Sequence, residues 1–258
     1  MFGAVAKSFY AEKIGKKPEE IVVVSVMPCT AKKFEAQRPE MSSSGVLDVD
    51  YVLTTRELAR MIKEAGIEFT SLPDEAMDAP LGLSSGAADI FANTGGVMEA
   101  ALRTAYEIVT GRELPVENLH IQAIAGLDGV KEAALTITGT VKEWSFLEGV
   151  ELKVAVSHGL SNTRRLLEHI KAHGSPYHFI EVMTCPGGCI GGGGQPRFTD
   201  DGVRLKRMAA IYSEDESKSL RKSHENPDVQ KLYKEYLGKP LGEKSHHLLH
   251  THYASKAR

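Results

Sequence analysis

Cysteine is scarce in this sequence: three residues in a chain of 258. Three thiols build no disulfide framework, and in a reducing cytoplasm, the compartment expected here, they point to metal binding or catalysis. Long apolar runs are missing as well. No stretch approaches the roughly 18 consecutive apolar residues that span a membrane. The start, MFGAVAKSFYAEKIGKK, has no basic n-region, long apolar run or cleavage site, so it does not read as a signal peptide. Sustained basic runs are absent. The net charge is −3, and Lys32, Lys33 and Arg38 make only a local cluster, which disfavours nucleic acid as a partner. The first residues also lack a helix cap. Phe2, Val5, Ala6, Phe9 and Tyr10 recur at helical spacing, yet no Ser, Thr, Asp or Asn precedes them. The pattern fits a chain that starts inside an amphipathic helix, and equally a frayed natural terminus.

What is present is ordinary globular composition, 42% hydrophobic and 25% charged, with length enough for a substantial core. The β-branched run IVVVSVMP (21–28) predicts a buried strand leading into Cys29. VDYVLT (49–54) alternates as a strand, and Thr54 with Glu57 forms a capping box for a helix with Leu58, Met61, Ile62 and Ala65 on its apolar face, stopped by Gly66. TGGVMEAALRTAYEIVTG predicts a helix with Met98, Ala101, Leu102, Ala105, Ile108 and Val109 on one face, ended by Gly111. IQAIAG (121–126) and VELKVAVSH (150–158) are strand candidates. A helix capped by Ser161 or Asn162 follows, and then HFIEVMTCP (178–186), a strand ending at Cys185. Strands alternating with helices indicate an α/β fold, in which sites gather at the carboxyl ends of strands. Residues 204–253 are polar, His-rich and helix-like, an appended arm.

The stretch CPGGCIGGGGQP (185–196) concentrates two of the three cysteines and six of the 24 glycines. Pro186 fixes φ, while Gly187 and Gly188 permit positive φ, so the loop can turn both thiols inward and offer amides to sulfur. Gly191 to Gly194 let the backbone approach something bulky. The spacing is C-x3-C, not the redox C-x2-C. Several readings stay open: a phosphate-cradling loop, against which Pro196 and Arg197 stand where a helix should open; a zinc site with His178 as a further donor; buried inert thiols; and an iron–sulfur site, for which Cys29 would be a third ligand of the four that a cubane needs.

VMPCTAKKFEAQRPE (26–40) resembles the second cysteine signature of [FeFe] hydrogenases, and EVMTCPGGCIGGGGQP (181–196) resembles the third. SSGAADIFANTGGVMEAALRTAYE (84–107) is similar to the segment between them, and GEKSHHLLHTHY (242–253) to the family's small-subunit region. The resemblance covers essentially the whole chain. It implies an α/β, two-lobed H-cluster domain, incomplete at its N-terminus, over residues 1–200, with a small-subunit-like helical tail over 201–258. The implied cofactor is the H-cluster, a [4Fe-4S] cubane bridged by a cysteine to a two-iron unit with CO, cyanide and dithiolate. By the same resemblance, Cys29 and Cys185 ligate the cubane and Cys189 bridges the two parts. Lys32 donates a charged hydrogen bond to a cyanide, with Glu35 beside it, and Met27, Met183 and Phe91 line the two-iron pocket. As isolated residues, Lys32 reads as solvated, Met27 and Met183 as core, and Glu35 as a surface partner of Lys33 or Arg38. His246, His247, His250 and His252 receive no ligand role.

The implied reaction is reversible proton reduction to H2. Ferredoxin or another carrier supplies the electrons, hydrogenase maturation proteins deliver the cofactor, and nucleic acid and membrane are not partners. The family's first signature, Thr-Ser-Cys-Cys-Pro-x-Trp, is absent, and with it the fourth cubane cysteine and the proton-delivering cysteine. Met1 then reads as an internal methionine of a longer frame, and this chain alone is expected to be inactive without that missing half. Gly191 stands where the family has Asn, and Ala88 and Ala92 where glycine is common. The alternative is a Narf-type iron–sulfur scaffold or assembly protein, which shares the lobes and cysteines but carries no two-iron unit.

Overall fold

The computed structural model describes residues 1–254. The chain forms two compact units: Met1–Leu83, Gly193–Pro196 and the chain from Pro227 make one, and Ser84–Gly192 with Arg197–Asn226 make the other. In the first unit, Phe2–Val5, Ala6–Tyr10 and Ala11–Lys13 run on as one helical stretch with a π-turn in its middle. Its buried side holds Ala4, packed with Leu237 and Leu248, while Phe2 is exposed. Lys7 is buried too, at 1% exposure. Its Nζ donates to the Leu47 carbonyl at 2.6 Å and to Asp50 at 2.8 Å, and Asp50 accepts the Val23 N–H at 2.7 Å. One ion pair thereby ties the first helix to the sheet.

That sheet has two parallel strands, β1 (Val24–Met27) and β2 (Tyr51–Thr54), with Val24 opposite Tyr51 and Met27 opposite Thr54. The buried strand expected over 21–28 is shorter and only half covered: Val22, Val24 and Val26 are exposed, and Ile21, Val23, Ser25 and Met27 are half-buried. Among the described residues β1 is hydrogen-bonded to β2 alone, so the pleat sends every second valine to an uncovered face. After β2 the capping box forms as expected. Thr54 Oγ1 accepts the Glu57 N–H at 3.2 Å, and the Thr54 N–H donates to Glu57 Oε2 at 2.8 Å. The helix Thr55–Glu64 follows, and Gly66 closes it at φ 68°. Only Leu58 and Ile62 of its predicted apolar face are half-buried; Met61 and Ala65 are exposed. Thr54→Ala should cost about 1 kcal/mol, read as a lower denaturant midpoint at unchanged slope; an unchanged midpoint would mean the cap contributes nothing.

The second unit holds a three-stranded sheet. Strand β3 (Val130–Thr136) is antiparallel to β4 (Glu151–His158), and β4 is parallel to β5 (Phe179–Met183). The sequence shows β4 and β5 well but hides β3, whose Lys131, Glu132 and two alanines blur the alternation. IQAIAG is not a strand. Gln122–Ile124 is a 3-10 turn that delivers Ile124 into the core with Met98, Leu102, Val154 and Val156. The helix Gly96–Thr110 ends at Gly111, φ 65°, as expected, but its buried face differs. Ala101, Ala105 and Ile108 are exposed, while Glu99, Arg103 and Tyr106 are buried with Met98, Leu102 and Val109. Charged partners elsewhere in the unit rotate that face away from the hydropathy stripe. The helix Leu160–His173 starts after Gly159 at φ 78° with no side-chain cap, because Asn162 Nδ2 donates to the His158 carbonyl instead.

The segment after residue 200 is shared between the units. The helix Asp201–Ser217, capped by Asp200, belongs to the second, and Pro227–Leu232, Tyr233–Leu237 and Glu243–Leu249 to the first. Among the described residues no helix is long and apolar enough to cross a membrane.

Candidate functional site

In the second unit, β5 ends at Met183 and the chain turns through Cys185 to Cys189. Gly187 and Gly188 take φ values of 79° and 89°, the left-handed region that glycine alone enters cheaply. A Cβ on Gly188 would lie 2.7 Å from both Met183 Sδ and the Thr94 nitrogen, and 3.0 Å from the Ala92 carbonyl oxygen. The loop therefore lies flat against Met183 and residues 92–94. Phe91 sits on the adjoining 3-10 turn Ile90–Ala92 and is 44% exposed. The amides expected to face sulfur are largely spent on the protein itself. The Gly188 N–H donates to Cys185 O at 3.0 Å, Gly191 to Gly188 O at 3.1 Å and Gly192 to Cys189 O at 2.9 Å. The Gly187 N–H goes to His158 Nδ1 at 3.1 Å.

In the first unit, Cys29 follows β1 and precedes the short helix Ala31–Glu35. Lys32 and Glu35 form an ion pair one turn apart. Glu35 is thus the partner of Lys32, because the other two cations are engaged: Lys33 pairs with Glu57 at 2.9 Å and donates to Val52 O at 2.7 Å, and Arg38 pairs with Glu40 at 3.5 Å. The Thr54 backbone N–H and Lys33 hold the Glu57 carboxyl down at about 2. Met27, Lys32 and Glu35 border a cavity of about 610 Å³ with Met41 and Leu248. The glycine run does bring backbone against something bulky, and at Gly194 that is the protein. The Gly194 N–H donates to Pro28 O at 2.9 Å, and its carbonyl accepts the Arg56 N–H at 3.2 Å. A Cβ there would come within 2.9 Å of the Pro28 carbonyl carbon.

Two of the open readings fail on this geometry. No helix opens behind the glycine run, since the next one starts at Asp201, so a phosphate cradle has no helix N-terminus. His178 lies at the start of β5, away from the cysteines at its end, and its Nδ1 already accepts the Lys153 N–H at 3.1 Å. Glu107, His224 and Glu225 cluster elsewhere in the second unit, but the Lys222 ammonium occupies that cluster, 2.7 Å from Glu107 and 2.9 Å from Glu225.

Three polar residues beneath the cysteine loop escaped sequence reasoning. Glu181, buried on β5, accepts the Gly95 and Met98 N–H groups at 2.7 and 2.8 Å and so caps the helix Gly96–Thr110. Lys131 and Glu181 flank Val156 on neighbouring strands. Burial pushes the Lys131 ammonium down to about 8 and the Glu181 carboxyl up, each against the pull of the other's charge. His158, at the end of β4, is held below its ordinary value by burial, and its neutral ring donates from Nε2 to Leu127 O at 3.1 Å. The only signal for any of them is a polar residue at an inward position of a strand.

None of the three cysteines is in a disulfide; Cys29 and Cys185 are half-buried and Cys189 is exposed. Soft thiolates suit iron and sulfide, and the loop leaves Cys185 half-buried and Cys189 exposed, so this pair fits an iron–sulfur cluster. The three thiols are one fewer than a cubane takes.

Comparison with known proteins agrees. The family model described as the iron only hydrogenase large subunit, C-terminal domain, matches residues 1–193, and that of the iron hydrogenase small subunit matches 201–256. The chain is 54% identical over 259 residues to the NADP-reducing hydrogenase subunit HndD of Solidesulfovibrio fructosivorans, covering 100% of this chain and 42% of that protein. It is 43% identical over 258 residues to iron hydrogenase 1 of Clostridium pasteurianum, covering 98% and 43%. Its identity to cytosolic iron-sulfur assembly component 3 of Rattus norvegicus is 32% over 260 residues, covering 98% and 52%. A variant of the apo [FeFe]-hydrogenase of Chlamydomonas reinhardtii has the same fold, with a TM-score of 0.83 and 43% identity over 98% of this chain and 67% of that one. The chain thus spans about half, or less, of the length of these curated relatives. By both family matches and by fold, it belongs to the iron-only, or [FeFe], hydrogenase family, corresponding to the C-terminal domain of the large subunit followed by a small-subunit-like tail.

Proposed function

We propose that this chain carries part of the H-cluster site of an [FeFe] hydrogenase and serves the reversible reaction 2H⁺ + 2e⁻ ⇌ H2, with electrons from ferredoxin or another carrier. The observation that carries the reading is the Cys185–Cys189 loop, left-handed at Gly187 and Gly188 and seated on Met183. When bound, the H-cluster supplies the redox centre at which protons and electrons are exchanged with H2. Cys29 and Cys185 would hold its cubane, and Cys189 would be the bridging thiolate. Lys32, oriented by Glu35, would donate a charge-assisted hydrogen bond to a cyanide. Met27, Met183 and Phe91 would give apolar, adaptable walls that exclude water from the two-iron unit. The identity to hydrogenases, 54% and 43%, supports this reading over that of an iron–sulfur assembly protein, to which the identity is 32%.

The test is infrared spectroscopy after anaerobic maturation of the chain together with a polypeptide carrying the first signature. CO and cyanide bands are expected, with hydrogen evolution. The chain matured alone, one thiolate short of a cubane, is expected to hold its cluster weakly and to evolve hydrogen slower by about 10²–10⁴ or more, the worth of a missing proton donor. Bound iron and sulfide with no CO or cyanide bands would turn the assignment to the assembly class. Hydrogen evolution at full rate by the isolated chain would refute the need for a partner half.

A further inference from the structure

The second unit contains a closed ring of hydrogen bonds with Gly187 in it. Lys131 Nζ donates to the Gly126 carbonyl at 3.0 Å and to the Thr94 carbonyl at 3.3 Å. The Thr94 N–H donates to the Gly187 carbonyl at 3.0 Å. The Gly187 N–H donates to His158 Nδ1 at 3.1 Å, and His158 Nε2 donates to the carbonyl of Leu127, next to Gly126, at 3.1 Å. Both polar backbone groups of Gly187 are thus held, one by a side chain on β4 and one by the 92–94 turn. Gly187 is the middle residue of the five from Cys185 to Cys189. Its φ of 79° is one that side chains rarely adopt, and a Cβ there would meet Leu127 and Arg204 at 3.3 Å. His158 and Lys131 are 6% and 5% exposed, so no water competes for these bonds. The tautomer follows from the ring, because Nδ1 accepts and Nε2 must therefore carry the proton.

We propose that His158 is a positioning residue, which with Lys131 closes this ring so that the Cys185 and Cys189 thiols stand at cluster-binding spacing before any iron arrives. The proposal rests on the assignment of that pair as cluster ligands. His158 touches neither thiol; it acts through the Gly187 amide. A second consequence concerns the cluster itself. A Gly187 N–H engaged by imidazole is withheld from cysteine sulfur, so His158 also removes one donor that would favour the reduced, more anionic cluster.

The two ring nitrogens can be separated by substitution. Asparagine places its amide oxygen where Nδ1 stands and keeps the Gly187 bond, while losing Leu127. Glutamine reaches the Nε2 position and keeps the Leu127 bond, while losing Gly187. Amide hydrogen exchange in the cluster-free full chain is the first readout. The Gly187 amide should exchange about fivefold to tenfold faster in H158Q and H158L and stay near the parent rate in H158N, the size expected for one lost hydrogen bond. The Val154 and Val156 amides report whether the sheet has survived. The second readout is retention of a cluster reconstituted from ferrous iron and sulfide, challenged with an iron chelator. Its half-life should fall about tenfold in H158Q and recover in H158N, as for a removed outer-shell partner. Exchange at Gly187 unchanged in H158L, or retention rescued by Gln and not by Asn, would overturn the proposal. A parent chain that takes up no cluster even beside a polypeptide carrying the first signature would instead refute the ligand assignment, and the exchange rates would still decide whether the clamp exists.

Discussion

Replacing Arg103 with Met is expected to lower the unfolding free energy by about 3–5 kcal/mol, the largest stability effect of any single change foreseen in this chain. Arg103 is fully buried on the helix Gly96–Thr110. Its guanidinium donates to both oxygens of Asp215 at 2.9 Å, to Glu99 at 2.6 Å and to the Leu119 carbonyl at 3.2 Å. Arg221 adds a bond to Asp215 at 2.6 Å, and His120 bridges Glu99 at 3.0 Å and Glu216 at 2.9 Å. Burial works against the charge on Arg103, but Asp215 and Glu99 outweigh it and hold the group protonated. Burial likewise works against the Asp215 carboxylate, and Arg103 and Arg221 keep it below the usual range. The Glu99 carboxylate raises His120 above its ordinary value. The pair itself is weak evidence of net stabilisation; the cost lies in leaving two buried carboxylates without the cation they share, with Arg221 still beside Asp215 and His120 beside Glu99. Denaturant unfolding at constant slope measures the effect. Removing both acids along with the cation, in E99Q/R103M/D215N, should recover part of the loss. A loss below about 1 kcal/mol in R103M would show that water reaches this network.

Cys189→Ser is expected to have the largest functional effect. After anaerobic reconstitution, iron and sulfide content should fall at least about tenfold, to the level of an unreconstituted control, and C185S and C29S should do the same. Serine is close in size but a hard oxygen donor, so the change removes affinity for iron–sulfur chemistry and little else. Cys189 is exposed, so the unfolding free energy of the cluster-free C189S chain should stay within about 0.5 kcal/mol of the parent. The combination matters: loss of iron without loss of fold marks a ligand, whereas parent levels of iron and sulfide in all three variants would make the thiols structural and remove the basis of the hydrogenase assignment.

Much of the site was legible along the chain because its determinants are local. The capping box at Thr54 and Glu57 is a three-residue pattern closed by its own hydrogen bonds. Gly187 and Gly188 take positive φ because no other residue enters that region cheaply, so the turn between the cysteines is written in its composition. Strands β4 and β5 are apolar runs that lead toward the motif, and both were recognisable as such. Strand β3 was not, since alternation through Lys131, Glu132 and two alanines carries little hydropathy signal. The exposed valines of β1 were misplaced because a run of β-branched residues states strand propensity, not whether a layer covers each face.

What the sequence by itself determined is therefore the chemistry and the short-range geometry: three thiols, their spacing and the left-handed glycines behind two of them. What only the tertiary structure decided is which polar residues turn inward. Lys7 finds Asp50 across 43 positions, His158 finds Gly187 across 29 and Arg103 finds Asp215 across 112. A buried charge or imidazole is tolerable only beside its partner. No pattern within a dozen residues can announce a partner that the fold delivers from so far away.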